Sequence, residues 1–240
     1  MYFSILAVNI GNTNIRCGLY KDKKLISVQC IPTRTKNFKN YSIFKRKDIK
    51  YAVISSVVPS VTKILKRNIR AKKFEIKNSH IKIKNLYRKK SEVGVDRLLI
   101  AYSAKDKYGF PLIIIDFGTA TTFNVVNKKG EFAGGIILPG VKMWSNFLYK
   151  NTAKLPNVKF KKVNNIIGKS TRDCIQAGMF YGNIEMIKGL IRRIRSVIGN
   201  KSKVIATGGF AKFLKPYLKE INIVDENLVL DGLIKQLKEI

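Results

Sequence analysis

Two stretches of this chain place a glycine among small polar residues directly after an apolar run. Ile5-Leu6-Ala7-Val8 leads into Asn9-Ile10-Gly11-Asn12-Thr13-Asn14, and Leu112-Ile113-Ile114-Ile115 leads into Asp116-Phe117-Gly118-Thr119-Ala120-Thr121. Each then re-enters an apolar stretch, Ile15 to Tyr20 and Thr122 to Val126. The pattern predicts strand, tight turn, strand, made twice. Glycine lets the backbone turn sharply, and hydroxyl or amide side chains beside exposed N–H groups form a concavity suited to phosphate oxygens. Two such turns facing a common cleft would hold the phosphate tail of a nucleotide, so phosphate handling is the first hypothesis.

Acids are scarce, 15 against 47 Lys and Arg, which makes each one informative. Asp96 precedes the apolar run Leu98-Leu99-Ile100. It reads either as a helix N-cap or as a general base that accepts the proton of an acceptor hydroxyl. Asp116 ends an apolar strand, where a carboxylate points into the usual ligand crevice of an α/β sheet. Oxygen ligands suit hard cations; the plainer role is a turn-former before Gly118. Arg97 reads as a partner for substrate or phosphate charge, or as a solvated first-turn residue.

Three other matches are set aside. Asp116-Phe117-Gly118 spells the protein-kinase triplet, but the Gly-rich loop, V-A-I-K and H-R-D elements are missing. Gly168-Lys169-Ser170-Thr171 looks like the end of a P-loop, yet Val163 stands where its first glycine belongs. His80, the single histidine, lies in a polar basic stretch and reads as a surface residue, which argues against Ser/His/Asp chemistry.

The chain has 240 residues, 45% apolar, enough for one large domain or two small ones. Cys17, Cys30 and Cys174 are widely spaced, so neither a disulfide framework nor a zinc site is expected, and a reduced, cytoplasmic setting is. No apolar run nears the roughly 20 residues of a membrane span, and no segment reads as a signal peptide. The net charge of +32 would suit a nucleic acid or an anionic membrane. Lysine occurs in almost every segment with many Ile and Asn, however, and no RNP-type aromatic motif accompanies it. The charge is therefore read as compositional drift, with only non-specific nucleic-acid binding expected.

These groups need a scaffold. Strands are predicted at 3–9, 14–20, 24–30, 51–55 and 74–77, with a helix at 61–72 capped by Ser60. Residues 31–48 read as loop with some helix, and 78–95 as loop with a short strand. A helix opened by Asp96 buries Leu98, Leu99, Tyr102 and Ala104 and ends near Gly109. The second half repeats the plan. Strands are expected at 112–116, 120–127, 131–138, 204–206 and 221–224, with helices after Gly140, at 171–198, after Gly209 and at 227–238. Three strands followed by alternating helices and strands, twice, predict an α/β duplication, 1–110 and 111–240, with the ligand in the interdomain cleft.

At this point the residues resemble a known family. Val8 to Asn14 is similar to the D-x-G-N-T-N signature of type III pantothenate kinases, Gly94 to Arg97 to their G-x-D-R element, and Asp116 to Phe123 to their D-F-G-T-A-T-T-F. Gly134-Gly135-Ile136, Pro139-Gly140, Thr152 to Pro156, Ile166 to Thr171, Gln176 to Gly182, Ala206 to Gly209 and Asn227 to Leu233 continue the resemblance in order. It implies duplicated actin-like (ribonuclease H-like) domains, each a mixed sheet flanked by helices. It also implies ATP-dependent phosphorylation of pantothenate to 4′-phosphopantothenate in coenzyme A biosynthesis, by a cytoplasmic homodimer using Mg²⁺ and K⁺ or NH₄⁺.

Carried over by position, the resemblance makes Asp96 the catalytic base. It places Tyr87, Gly94, Val95, Asp96, Arg97 and Thr171 on pantothenate. Asn9, Ile10, Gly11, Asn12, Thr13, Asn14, Ile15, Arg16 and Thr119 would hold ATP, Asp116 the monovalent cation, and Thr207-Gly208-Gly209 would lie near the adenosine. Without the resemblance, Tyr87 is an ordinary half-buried aromatic and Thr171 a helix cap. The chain departs at Asn9, where the family has Asp. An amide keeps an oxygen but loses a charge, so weaker Mg²⁺ binding is expected. Three readings follow: an enzyme that tolerates the change, a decaying copy, or a regulatory or nucleic-acid-binding relative. A sugar acceptor is a further alternative.

Overall fold

The computed structural model describes residues 3–22, 24–35 and 37–237. The chain divides into two compact units, 1–107 with 227–240, and 108–226.

The first unit is built on β1 (Ser4–Ile10), β2 (Asn14–Lys21), β3 (Lys24–Pro32), β4 (Ile49–Ser56) and β5 (Lys72–Glu75). Its sheet has the order β3-β2-β1-β4-β5, with β1, β2 and β3 antiparallel and β4 and β5 parallel to β1. The helices are α1 (Pro59–Asn68) and α2 (Val95–Tyr108), with short 3₁₀ turns at 38–40, 42–44, 78–80 and 90–92. β1 is buried along almost its whole length because helices cover the sheet, as near-continuous apolar strands demand. Leu6, Val8, Ile10, Ile15, Ile54 and Leu65 anchor the core.

The second unit is built on β6 (Leu112–Phe117), β7 (Ala120–Val126), β8 (Phe132–Pro139), β9 (Lys203–Thr207) and β10 (Ile223–Val224). Its order, β10-β9-β6-β7-β8, with the same senses of pairing, repeats the first sheet strand for strand. Helices α3 (Val141–Asn151), α4 (Thr171–Ile198) and α5 (Ala211–Leu214) complete it. The 28-residue α4 opens on Ser170, whose hydroxyl accepts from the Asp173 amide, and ends at Gly199 with φ 113°. It buries Phe180, Ile184, Ile187, Ile191, Ile194 and Ile198 at helical spacing against Ile113, Ile115 and Val204.

The last helix, α6 (Leu228–Leu237), packs on β1, β2 and β4 and belongs to the first unit. A division at residue 110 leaves it with the second half. Sequence order does not reveal this return; the tight fit does, since a Cβ on Gly232 would lie 2.8 Å from the Leu99 carbonyl oxygen. The expected helix end at 238 lies outside the described residues.

Several boundaries differ from expectation. α1 starts at Pro59 and has no side-chain cap, so Ser60 sits inside the first turn. Proline's fixed φ suits the first helical position. The helix stops at Asn68 because Ile69 is extended, and β5 begins earlier than expected, pairing Phe74 with Val53. The short strand expected within 78–95 is reduced to a single bridge at Asn85.

Candidate functional site

Asp96 is the second residue of α2, not its cap. The Gly94 carbonyl accepts from the amides of Arg97 and Leu98, at 3.1 and 3.4 Å. The Asp96 carboxylate Oδ1 accepts from the Arg97 amide at 2.8 Å. Burial raises the Asp96 carboxyl above the usual carboxylate range, opposed by that amide bond and by the Arg97 charge. A carboxylate destabilised in its charged form holds a proton more readily, which suits a base. A Cβ on Gly94 would lie 2.6 Å from Asp96 Oδ1, so glycine is the residue that leaves the carboxylate its place.

Arg97 is not the solvated residue a basic composition suggests: it is 8% exposed. Its Nη1 donates to the Tyr87 hydroxyl at 3.1 Å, and its guanidinium lies 5.8 Å from the Tyr87 ring centroid. Tyr87, Gly94, Val95, Asp96 and Arg97 therefore form one cluster, in which the buried α2 face holds the arginine and the loop at 85–87 brings the tyrosine. Val95 is buried as well. Thr171, in the second unit, is an exposed first residue of α4, and the cap there is Ser170.

The first turn closes with the Gly11 amide donating to Asn14 O at 3.0 Å, while Thr33 Oγ1 donates to Gly11 O at 2.7 Å. Asn12, Thr13 and Asn14 are exposed, whereas Ile10 and Ile15 are buried anchors. Asn9 pairs in register with Arg16 of β2 and Ser55 of β4. The Ser55 hydroxyl, fully buried, donates to Asn9 Oδ1 at 2.8 Å. Arg16 Nη2 donates to Asn227 Oδ1 at 3.0 Å.

The second turn is the internal counterpart. The Gly118 amide donates to Ala120 O at 3.2 Å, and Thr119 is exposed. Asp116 occupies the position of Asn9 and pairs in register with Thr122 and Thr207. Its carboxylate fills the space a Cβ on Gly208 would need, and Gly208 has φ 85°. A Cβ on Gly140 would collide with the Thr119 carbonyl, so the start of α3 presses on this turn. Ser55, Gly140 and Gly208 shape these turns, and the sequence reading assigned neither Ser55 nor Gly140 a part. The signal for Ser55 was its place after the apolar strand Tyr51–Ile54, as Thr207 follows Val204–Ala206.

Among the described residues no three His, Cys, Asp or Glu side chains group to cage a metal ion. Mg²⁺ keeps several waters and is held through one or two carboxylates plus substrate phosphates. Asp116 fits that pattern, or the looser oxygen shell of a monovalent cation; the first turn, with Asn9, has no carboxylate to offer.

A family model described as type III pantothenate kinase matches residues 5–193. The chain belongs to the type III pantothenate kinase family. Type III pantothenate kinases of Persephonella marina and Halalkalibacterium halodurans are 38% and 35% identical to it, over 95% of this chain and 96% of each relative. Among solved structures, a Campylobacter jejuni protein described as of the Baf family of transcriptional activators superposes with TM-score 0.66 at 21% identity, over 98% of both chains. MreB5 of Spiroplasma citri bound to ADP superposes with TM-score 0.50 at 12% identity, over 99% of this chain and 97% of that one. At such identities the likeness is one of fold, and the fold of this pantothenate kinase family member is the duplicated actin-like one expected from its sequence.

Proposed function

We propose that this chain transfers the γ-phosphoryl group of ATP to the 4′-hydroxyl of pantothenate, the first committed step towards coenzyme A. Family membership over nearly the whole chain supports the reaction. The observation that carries the residue roles is the Tyr87–Asp96–Arg97 cluster: a carboxylate raised by burial beside a buried, hydrogen-bonded arginine. Asp96 accepts the proton as the hydroxyl oxygen bonds to the γ-phosphorus, and the bond to the bridging oxygen breaks to release ADP. Arg97 supplies positive charge for the anionic substrate, Tyr87 holds the guanidinium, and Gly94 and Val95 shape the loop; Thr171 makes a further substrate contact.

The turn Asn9 to Arg16 and Thr119 hold the ATP phosphates through backbone N–H groups and hydroxyls. Mg²⁺, where it accompanies the ATP phosphates, would neutralise developing phosphate charge. Asp116 is the carboxylate for a cation, K⁺ or NH₄⁺ in this reading. Gly208 keeps its carboxylate in place.

The reading includes a cytoplasmic homodimer. Met143, Phe147, Ile166 and Ile167 of the second unit are large apolar side chains left exposed, a composition that suits self-association. No helix among the described residues is long and apolar enough to cross a membrane. Nothing specific favours a regulatory role, and nucleic acid is expected to bind only non-specifically. A coupled ADP-release assay tests the proposal. Pantothenate-dependent release that collapses in Asp96→Asn supports it; release with a sugar but not pantothenate overturns it.

A further inference from the structure

The two turns are copies of one device, and the chain has equipped them with opposite chemistry. Asn9 and Asp116 occupy the same place, near the carboxyl end of the central strand of each sheet. In the second turn a carboxylate is flanked in register by two neutral hydroxyl residues, Thr122 and Thr207. In the first, an amide is flanked by a serine and an arginine, Ser55 and Arg16. The amide oxygen carries no full charge for a metal ion, and one of its two lone pairs is already taken by the buried Ser55 hydroxyl, which donates to it at 2.8 Å. That bond assigns the other half of the amide. Nδ2 carries two N–H donors, and among the described residues it donates to none. Arg16 adds a buried Nε that has no hydrogen-bond partner among the described residues. The unsatisfied Arg16 Nε costs free energy where it lies, while the half-buried Asn9 keeps its N–H groups open to an acceptor.

We propose that the first turn grips nucleotide phosphate oxygens directly, through the Asn9 amide N–H groups and the Arg16 guanidinium, without a divalent cation. A carboxylate at position 9 would repel polyphosphate unless a cation lay between them; an amide locked by Ser55 donates to it instead. The Asn9 substitution is then a change of binding mode, not a loss. Cation binding falls to the Asp116 turn. This rests on the proposed phosphate-binding role of the turn and specifies how that role is performed.

The test is calorimetric titration of the full-length protein with ATP and with ADP, in Mg²⁺ and in EDTA. For the unsubstituted chain the two Kd values are expected to agree within about threefold. Asn9→Asp should weaken binding in EDTA by about tenfold or more, while Mg²⁺ restores it. Ser55→Ala frees the amide to rotate and should weaken binding in EDTA more than in Mg²⁺; a melting curve checks that it folds. A Kd that rises tenfold or more in EDTA for the unsubstituted chain overturns the proposal, as does an Asn9→Asp variant indifferent to Mg²⁺. If nucleotide binding needs Mg²⁺ while pantothenate-dependent ADP release persists, this inference alone fails. If no nucleotide binds under either condition, the kinase reading fails with it.

Discussion

Gly94→Ala separates a positioned base from a merely buried acid. The added methyl would sit 2.6 Å from Asp96 Oδ1, where ordinary contact begins at 3.4 Å, so the oxygen must withdraw by about 0.8 Å. The next neighbours, Asp96 Cγ and Val57 Cγ1, are 3.8 and 3.9 Å away. The strain therefore falls on a side-chain tip, which can move, and not on backbone. Moving it stretches the bond from the Arg97 amide, now 2.8 Å, at a cost of about 1 kcal/mol. A shift of that size lowers the melting temperature by only about 2–4 °C. Its effect on catalysis is larger, since a misplacement near 1 Å removes roughly a hundredfold in rate, or about 2.7 kcal/mol of transition-state stabilisation. The assay is pantothenate-dependent ADP release, read as kcat/KM, alongside a melting curve. In the double variant with Asp96→Asn, the glycine change should add almost nothing, because the group it displaces is already disabled. A Gly94→Ala enzyme within threefold of the unsubstituted kcat/KM would refute the assignment of Asp96 as base.

Four further outcomes are expected. Because burial raises Asp96, kcat/KM should fall on the acid side with a midpoint above the roughly 3.9 of a free aspartate, as the base becomes protonated. The same shift means Asp96 favours the folded state below its unfolded pKa and loses that contribution as pH rises through its folded one; Asp96→Asn should thus melt higher than the unsubstituted chain at pH 7, and the gap should close below about pH 4. Gly208→Ala forces a side chain into φ 85° and against the Phe117 backbone at 2.7 Å, which should cost about 2–4 kcal/mol and drop the melting temperature by at least about 4 °C; an unchanged melting curve would contradict the packing described. Tyr87→Phe removes the acceptor for Arg97 Nη1, and the pantothenate KM should rise about tenfold with kcat changed far less; a loss confined to kcat would assign Tyr87 a different role.

Much of this molecule is written in local pattern. The twin motifs at 9–14 and 116–121, each after an unbroken apolar run, announce a duplicated α/β fold because a doubly covered central strand must be apolar throughout and its end must turn on glycine. The 28-residue α4 is legible in its extent, since a long 3.6-residue apolar stripe runs from about 171 to 198, although its cap is Ser170 and not Thr171. Residue types also nominate Asp96 and Asp116, as scarce acids beside apolar runs. Other features exist only through contacts between distant segments. Ser55 meets Asn9 because β4 lies parallel to β1, and no spacing along the chain encodes that neighbour. Arg97 looks like one more surface cation until α2 packs and brings the Tyr87 hydroxyl within hydrogen-bond reach of it. The return of α6 to the first sheet depends on a glycine thin enough to let two helices touch, which is a property of shape and not of sequence order. Strand and helix periods are local and survive in a linear reading; hydrogen-bond partners, burial of charge and close approach are decided when the sheets assemble.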